Sequence, residues 1–247
     1  MIVIGLSGYA GSGKTTVADI LVRDHGFTKM SFADPIKRMV RALNPIIGYD
    51  VYECDCGDPE EREIEEIRLS DATKFGFAGD TIKYSPWAEE VRELWQRFGT
   101  DVIRAEDPDF WVNAALKDMA KVEGERIVFD DVRFPNEAKM IHDLNGPFWA
   151  EGELSFSRIS GSIWQIARYE TQPDRVEDIH ESERYVGQLD EEIVIVNEAG
   201  VDDLAETVVA ALAFVAEDEV IFEQPALWED DAELVSGVFT PDVEASK

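Results

Sequence analysis

Ile2-Val3-Ile4-Gly5-Leu6-Ser7-Gly8-Tyr9-Ala10-Gly11-Ser12-Gly13-Lys14-Thr15 begins as an apolar run and ends in glycines, a lysine and a threonine. Its second half, Gly8 to Thr15, satisfies G-x-x-x-x-G-K-[ST] at every fixed position. Ile2 to Leu6 reads as a buried strand. Thr15 to His25 places Val17, Ile20 and Leu21 at helical spacing before Gly26 stops the helix. A strand, a glycine-rich turn and a helix form a phosphate-binding loop. The glycines let successive backbone N–H groups turn inward, and the helix N-terminus adds partial positive charge. Gly8, Ala10, Gly11, Ser12, Gly13, Lys14, Thr15 and Thr16 are therefore the expected ATP-binding residues. Lys14 is expected to neutralise the β and γ phosphates, and the Thr15 hydroxyl is placed to coordinate Mg2+. The bland alternative, an ordinary glycine-rich turn, does not call for the lysine and the hydroxyl.

Outward from this loop, Phe27 to Phe32 reads as a second strand, and Asp34-Pro35 starts a helix that runs to about Leu43. From Asn44 to Ser85 the pattern weakens around the acidic block Glu53 to Glu66, which suggests a helical insert or mobile flap outside the central sheet. Ser85-Pro86 starts a helix carrying Val91, Leu94, Trp95 and Phe98, broken at Gly99, and Pro108 to Val122 reads as another. Arg126 to Val132 is a buried strand whose acidic end, Asp130-Asp131, should emerge beside the phosphate loop. Either carboxylate could hold the metal ion or its waters. Asp131 is favoured, with helix or turn capping as the alternative role.

A helix near Pro135, strands at Ser162 to Arg168 and Glu192 to Asn197, and a helix at Val201 to Val215 complete the pattern. Alternating strands and helices imply a three-layer α/β/α fold with a central parallel sheet. The expected organisation is one kinase-type domain over 1–215, with 44–85 and 147–185 as insert or lid segments that could close over the transferring phosphate. Residues 216–247 form the expected acidic, flexible tail, because the stretch from 217 adds ten acids and one lysine without sustained periodicity.

Lys and Arg total 23 against 53 Asp plus Glu, a formal charge of −30 in 247 residues. Such a chain repels nucleic-acid polymers and anionic membranes, so any bound nucleotide must be held by a few well-placed cations. The acid excess reads first as a solvated surface and second as adaptation to high salt. Cys54 and Cys56 form a lone C-x-C without the further ligands of a zinc site, and read as loop thiols in a reducing compartment. No basic region precedes the first apolar run, and the longest apolar stretch, Val208 to Ala216, is too short to span a bilayer. A cytoplasmic protein with small-molecule nucleotide partners is expected, with a homodimer left open.

The loop is joined by Ser31-Phe32-Ala33-Asp34-Pro35-Ile36-Lys37, Gln96-Arg97-Phe98-Gly99-Thr100-Asp101 with Arg104, and Phe110-Trp111. Asp131-Val132-Arg133-Phe134-Pro135-Asn136-Glu137, His180-Glu181-Ser182-Glu183 and Ile195-Val196-Asn197 follow. In this order the segments resemble the phage-type deoxynucleoside monophosphate kinases, in islands over roughly residues 1 to 215. The resemblance implies transfer of the ATP γ-phosphate to a deoxynucleoside monophosphate, with ATP and Mg2+ as cofactors. It also implies Arg133 on a phosphate, so that Lys14 and Asp131 from the loop reading and Arg133 are the expected catalytic residues, with Thr15 and Asp131 the expected metal ligands. It places Arg97, Thr100 and Arg104 near the acceptor pocket with Arg133, and Asp34, Lys37 and Trp111 complete the expected acceptor-binding residues. The sequence departs from the family at Pro147 to Gly161, which is extra, and the alignment of 147–185, with lid arginines such as Arg168 or Arg175, departs with it.

Trp95, Phe110 and Trp111 offer rings on which a base could stack; core packing is the competing role for Trp95 and Trp111, helix capping for Asp34, and surface ion pairing for each arginine. Two other functions fit the loop: a kinase for a small-molecule hydroxyl, with Asp34 or Asp131 as base, and a non-enzymatic ATP-binding regulator.

Overall fold

The computed structural model describes residues 1–53, 62–145, 148–150, 153–155, 159–172 and 183–220. Cys54, Cys56, Arg175, His180, Glu181, Ser182 and the tail from 221 onward lie outside the described residues.

A five-stranded sheet organises the chain. Its strands are β1 (Ile2–Ser7), β2 (Thr28–Met30), β5 (Arg126–Phe129), β8 (Ser160–Ala167) and β9 (Ile193–Val196), in the order β2-β5-β1-β8-β9. Every neighbouring pair is parallel, and Ile4 lies opposite Val128 on one side and Ser162 on the other. Strands buried on both faces need apolar residues at consecutive positions, which is what Val3-Ile4 and Ile127-Val128-Phe129 supply.

Alternation along β1 divides the core in two. Ile4 and Leu6 point to one face, where α1 (Lys14–His25) and α6 (Val201–Val220) cover them with Val17, Ile20, Leu21, Leu204 and Val208. Val3 points to the other face, into a cluster with Val112 and Ala115 of α4 (Phe110–Met119) and Ala138, Met140 and Ile141 of α5 (Pro135–Asp143). The fold is thus three-layer α/β/α around a central parallel sheet, as the alternation of elements predicted. α2 (Asp34–Leu43) follows β2 with Pro35 in its first turn.

Four segments depart from the sequence reading, the simplest being α6, which continues to Val220 instead of giving way to a tail at 216. The segment after Leu43 is not helical at its start: β3 (Ile46–Glu53) and β4 (Arg62–Arg68) pair antiparallel as a two-stranded sheet, followed by 3-10 turns at Leu69–Phe75 and Gly79–Tyr84. Ile47, Ile67, Ala72 and Ile82 of this unit pack with Val91 of α3 (Ala88–Gln96), and Trp95 lies against the same cluster.

Gly99 does not break α3. The helix runs directly into a π-helical stretch, Arg97–Arg104. Gly99 is buried, and a Cβ there would stand 2.7 Å from the Ile36 side chain, so the missing side chain is what lets α2 approach. In the extra segment, β6 (Phe148–Ala150) and β7 (Glu153–Ser155) form a second small antiparallel pair, and the strand that follows starts at Ser160, earlier than predicted.

Candidate functional site

The phosphate loop connects the end of β1 to the start of α1, and its shape depends on glycines in backbone conformations that other residues rarely adopt. Gly8, Gly11 and Gly13 all have positive φ. A Cβ on Gly8 would lie 2.4 Å from the Ile166 carbonyl oxygen, and one on Gly13 would lie 2.3 Å from the Asn197 amide nitrogen. The loop is therefore pressed against the ends of β8 and β9. Asn197 also donates a 2.8 Å hydrogen bond to the Ser12 carbonyl.

Inside the loop, the Lys14 ammonium donates to the carbonyls of Gly8 (2.6 Å) and Tyr9 (2.8 Å). The Ser12 hydroxyl is buried and has no partner among the described residues. The N–H groups of Lys14, Thr15 and Thr16 open a helix and have no partner a turn earlier. Thr15 itself is exposed at this helix start. Such a cradle offers donors and positive charge to an anion, and fits a polyphosphate. Ala10 N–H donates to the Glu183 carboxylate at 2.8 Å, so an acidic side chain occupies one of the loop amides.

Val132 N–H donates to Leu6 O at the end of β1, so the next residue, Arg133, lies beside the loop, near enough for its charge to act on Lys14. Burial, and behind it the Arg133 guanidinium, push Lys14 down from 10.5 to about 8, against the pull of Glu183, Asp130 and Asp131. A lysine and an arginine held in mutual repulsion suit a space that an anion fills.

The two acidic residues after β5 differ in role. The loop they start continues the sheet, with Asp130 N–H donating to Met30 O and Val132 N–H to Leu6 O. Asp131 turns toward the end of β2: its carboxylate accepts from the Ser31 hydroxyl (2.5 Å) and from the N–H groups of Phe32 (2.8 Å) and Ala33 (3.0 Å). It anchors the turn that starts α2. Asp130 forms an ion pair with Lys29 at 3.2 Å. Burial first, and Asp131 second, raise the Asp130 carboxyl above its usual range against the pull of Lys29. Among the described residues no group of three His, Cys, Asp or Glu gathers around a metal position. Thr15, Asp130 and Asp131 are oxygen donors, the kind a hard cation takes alongside waters and phosphate oxygens.

The residues expected around an acceptor are distributed unevenly. Asp34 and Lys37 share the first turn of α2, 3.5 Å apart. Arg97 is exposed and lines an open cleft of about 400 Å3 between β3 and α3, beside Tyr49, Glu90 and Glu93. Thr100 is half-buried in the π-helical stretch. Trp111 takes a core position: it is 1 % exposed and its indole N–H donates to the Gly99 carbonyl at 3.0 Å.

Arg104 is likewise committed, pairing with Glu137 at 2.6 Å, donating to Asn136 at 3.2 Å and lying 3.8 Å over the Phe134 ring. Burial pushes the Glu137 carboxyl up to about 7 despite the Arg104 charge. Arg168 follows β8 and pairs with Glu170 at 3.2 Å.

Four contributors lie in the segments that carry the resemblance but are given no role by the sequence. Glu137 sits in the first turn of α5, where a carboxylate after a proline signals capping. Ser31, Glu183 and Asn197 are polar residues at or near the ends of strands or turns, and beyond their place in those segments nothing local assigns their partners.

No family model matches the chain. A protein of Acanthamoeba polyphaga mimivirus named "Putative deoxynucleotide monophosphate kinase" is 31% identical over 162 residues, spanning 59% of this chain and 71% of that protein. Among solved structures, shikimate kinase from Aquifex aeolicus aligns with a TM-score of 0.40 at 14% identity, over 87% of this chain and 98% of its own. A gluconokinase from Sinorhizobium meliloti aligns at 0.37 and 13% identity, over 90% and 97%. Dephospho-CoA kinase from Campylobacter jejuni aligns at 0.33 and 14% identity, over 89% and 100%.

Proposed function

The chain belongs to the family of the mimivirus deoxynucleotide monophosphate kinase relative, and on that premise we propose that it transfers the γ-phosphate of ATP to a deoxynucleoside monophosphate. At the coarser level it is a kinase-like enzyme acting on a small-molecule phosphate acceptor. The observation that supports the finer reading is the Val132 N–H bond to Leu6 O, which sets Arg133 next to the end of β1 where its charge acts on Lys14 of the phosphate loop. One cation serves the donor phosphates and the other the acceptor phosphate.

In this reading the amides from Ala10 to Thr16 cradle the donor phosphates, and Lys14 exchanges the Gly8 and Tyr9 carbonyls for phosphate oxygens. Glu183 must leave the Ala10 N–H as the nucleotide enters. The Thr15 hydroxyl, with Asp131 or Asp130 through water, would hold Mg2+, which when bound neutralises charge on the β and γ phosphates. Arg133 clamps the acceptor phosphate, and Asp34, Lys37, Arg97 and Thr100 form the outer acceptor surface. An oxygen of the acceptor phosphate attacks the γ-phosphorus, the bond to the β-phosphate oxygen breaks, and ADP and a nucleoside diphosphate result.

A phosphate acceptor is already ionised near neutrality and needs no general base. The hydroxyl-acceptor alternative does need one, and both of its candidates are engaged: Asp131 by residues 31–33 and Asp34 by Lys37. Arg133→Ala tests the assignment. Acceptor kcat/KM should fall by roughly a hundredfold or more, the scale of a lost charge-assisted clamp, with ATP affinity changing far less. Normal turnover of the variant would remove Arg133 from the site.

A further inference from the structure

Arg133 can clamp a phosphate only if its backbone is fixed, and the same loop carries an unusual arrangement just behind it. One Glu137 oxygen accepts the N–H groups of both Arg133 (2.8 Å) and Phe134 (3.1 Å), and the other accepts from Arg104 at 2.6 Å. The Glu137 side chain is only 3% exposed and that of Arg104 14%. Arg104 is stacked on the Phe134 ring and bonded to Asn136, whose amide reaches Pro108 O (2.8 Å) and the Asp109 carboxylate (2.9 Å) at the start of α4. One residue before Arg133, Val132 N–H is locked to Leu6 O at the end of β1. Residue 133 is therefore held from both sides, by the sheet and by Glu137.

Capping alone does not call for this. A first-turn glutamate at the surface accepts an N-cap amide at little cost, whereas a buried ion pair carries a desolvation penalty that packed apolar residues would avoid. We infer that Glu137 is a positioning residue: with Arg104 as its counter-ion, it fixes the backbone of Arg133 so that the guanidinium meets the acceptor phosphate opposite Lys14. Arg104, which the sequence resemblance implied as an acceptor ligand, acts instead through Glu137.

This inference rests on the proposed role of Arg133, and a double-mutant cycle separates the two. Wild type, Glu137→Gln, Arg133→Ala and the double variant are compared for acceptor kcat and KM, for ATP affinity by direct titration, and for thermal midpoint. Gln keeps the shape and one acceptor oxygen but cannot serve both the amides and Arg104. Glu137→Gln should lower acceptor kcat/KM by roughly tenfold or more, as displacement of a clamp does, and leave ATP affinity within about twofold. In the Arg133→Ala background the same change should have almost no further effect, because residues acting as one unit are not additive.

A purely structural role predicts the opposite: effects that multiply in the double variant, or a loss of ATP affinity that follows the loss of acceptor turnover. Either result overturns the inference and leaves Arg133 in place. An Arg133→Ala variant with normal turnover overturns the acceptor assignment itself. Should Glu137→Gln fail to fold, Arg104→Gln takes its place in the same cycle, with the same expected non-additivity and the same contrary result.

Discussion

Raising the pH above 8 should loosen nucleotide binding, through Lys14 alone. Its ammonium is pushed down to about 8 by burial and by Arg133, while an ordinary lysine stays charged to above 10. Phosphate oxygens replacing the two loop carbonyls favour the charged form, so the bound lysine titrates at higher pH than the free one. Affinity is then full below about 8, and falls as pH rises from there toward the bound value. With a free pKa of about 8, the charged fraction drops from about three-quarters at pH 7.5 to about one-tenth at pH 9. ADP affinity should weaken roughly eightfold across that interval, about 1.2 kcal/mol.

The interval lies above the second phosphate pKa of about 6, so the ligand charge is constant. Calorimetry in buffers of different ionisation enthalpy supplies an independent readout: at pH 8 binding should take up about half a proton per nucleotide. Lys14→Met should bind weakly and show neither effect. An affinity that stays flat from pH 7.5 to 9, with no proton uptake, would refute both the depressed lysine and its contact with phosphate.

Gly8→Ala forces a Cβ to 2.4 Å from the Ile166 carbonyl at a φ of +140°, so it should cost about 1–3 kcal/mol in a denaturant titration and abolish measurable ADP binding. A variant with wild-type stability would mean that the loop does not pack on β8 as described. Trp111→Phe removes the indole donor to Gly99 O and part of a buried ring, and should lower stability by about 1–3 kcal/mol with acceptor KM unchanged. A raised KM in a stable variant would return Trp111 to the acceptor pocket.

The central architecture was legible because its signals are local. Consecutive apolar residues in β1 and β5, the glycines and lysine between β1 and α1, and Asp34-Pro35 at the start of α2 each specify their element within a few residues. The β3–β4 pair was not, since β4 is Arg62–Arg68 with Glu63, Glu65 and Glu66, and Ile67 is its buried residue. A strand that rests on a cluster through one side chain shows no alternation, and acidic residues are depleted in strands. Gly99 was misread for a tertiary reason: the approach of Ile36 and the Trp111 hydrogen bond come from elements distant in sequence, and locally a glycine in a helix looks like a stop.

The same limit applies to the candidate site. Asp130-Asp131 could be placed beside the loop from the strand before it, but which carboxylate faces Ser31 and which faces Lys29 depends on β2 lying next to β5. Arg104 and Arg133 look equivalent as isolated arginines. Only the fold brings Glu137 to one and Lys14 to the other.

The most direct test of the account is coupled ADP release with ATP and Mg2+, offering dAMP, dGMP, dCMP, dTMP and the matching ribonucleotides one at a time. Stimulation by one or more deoxynucleoside monophosphates, lost in Arg133→Ala, is the predicted result. A folded protein that binds ATP and releases no additional ADP with any of them would contradict it.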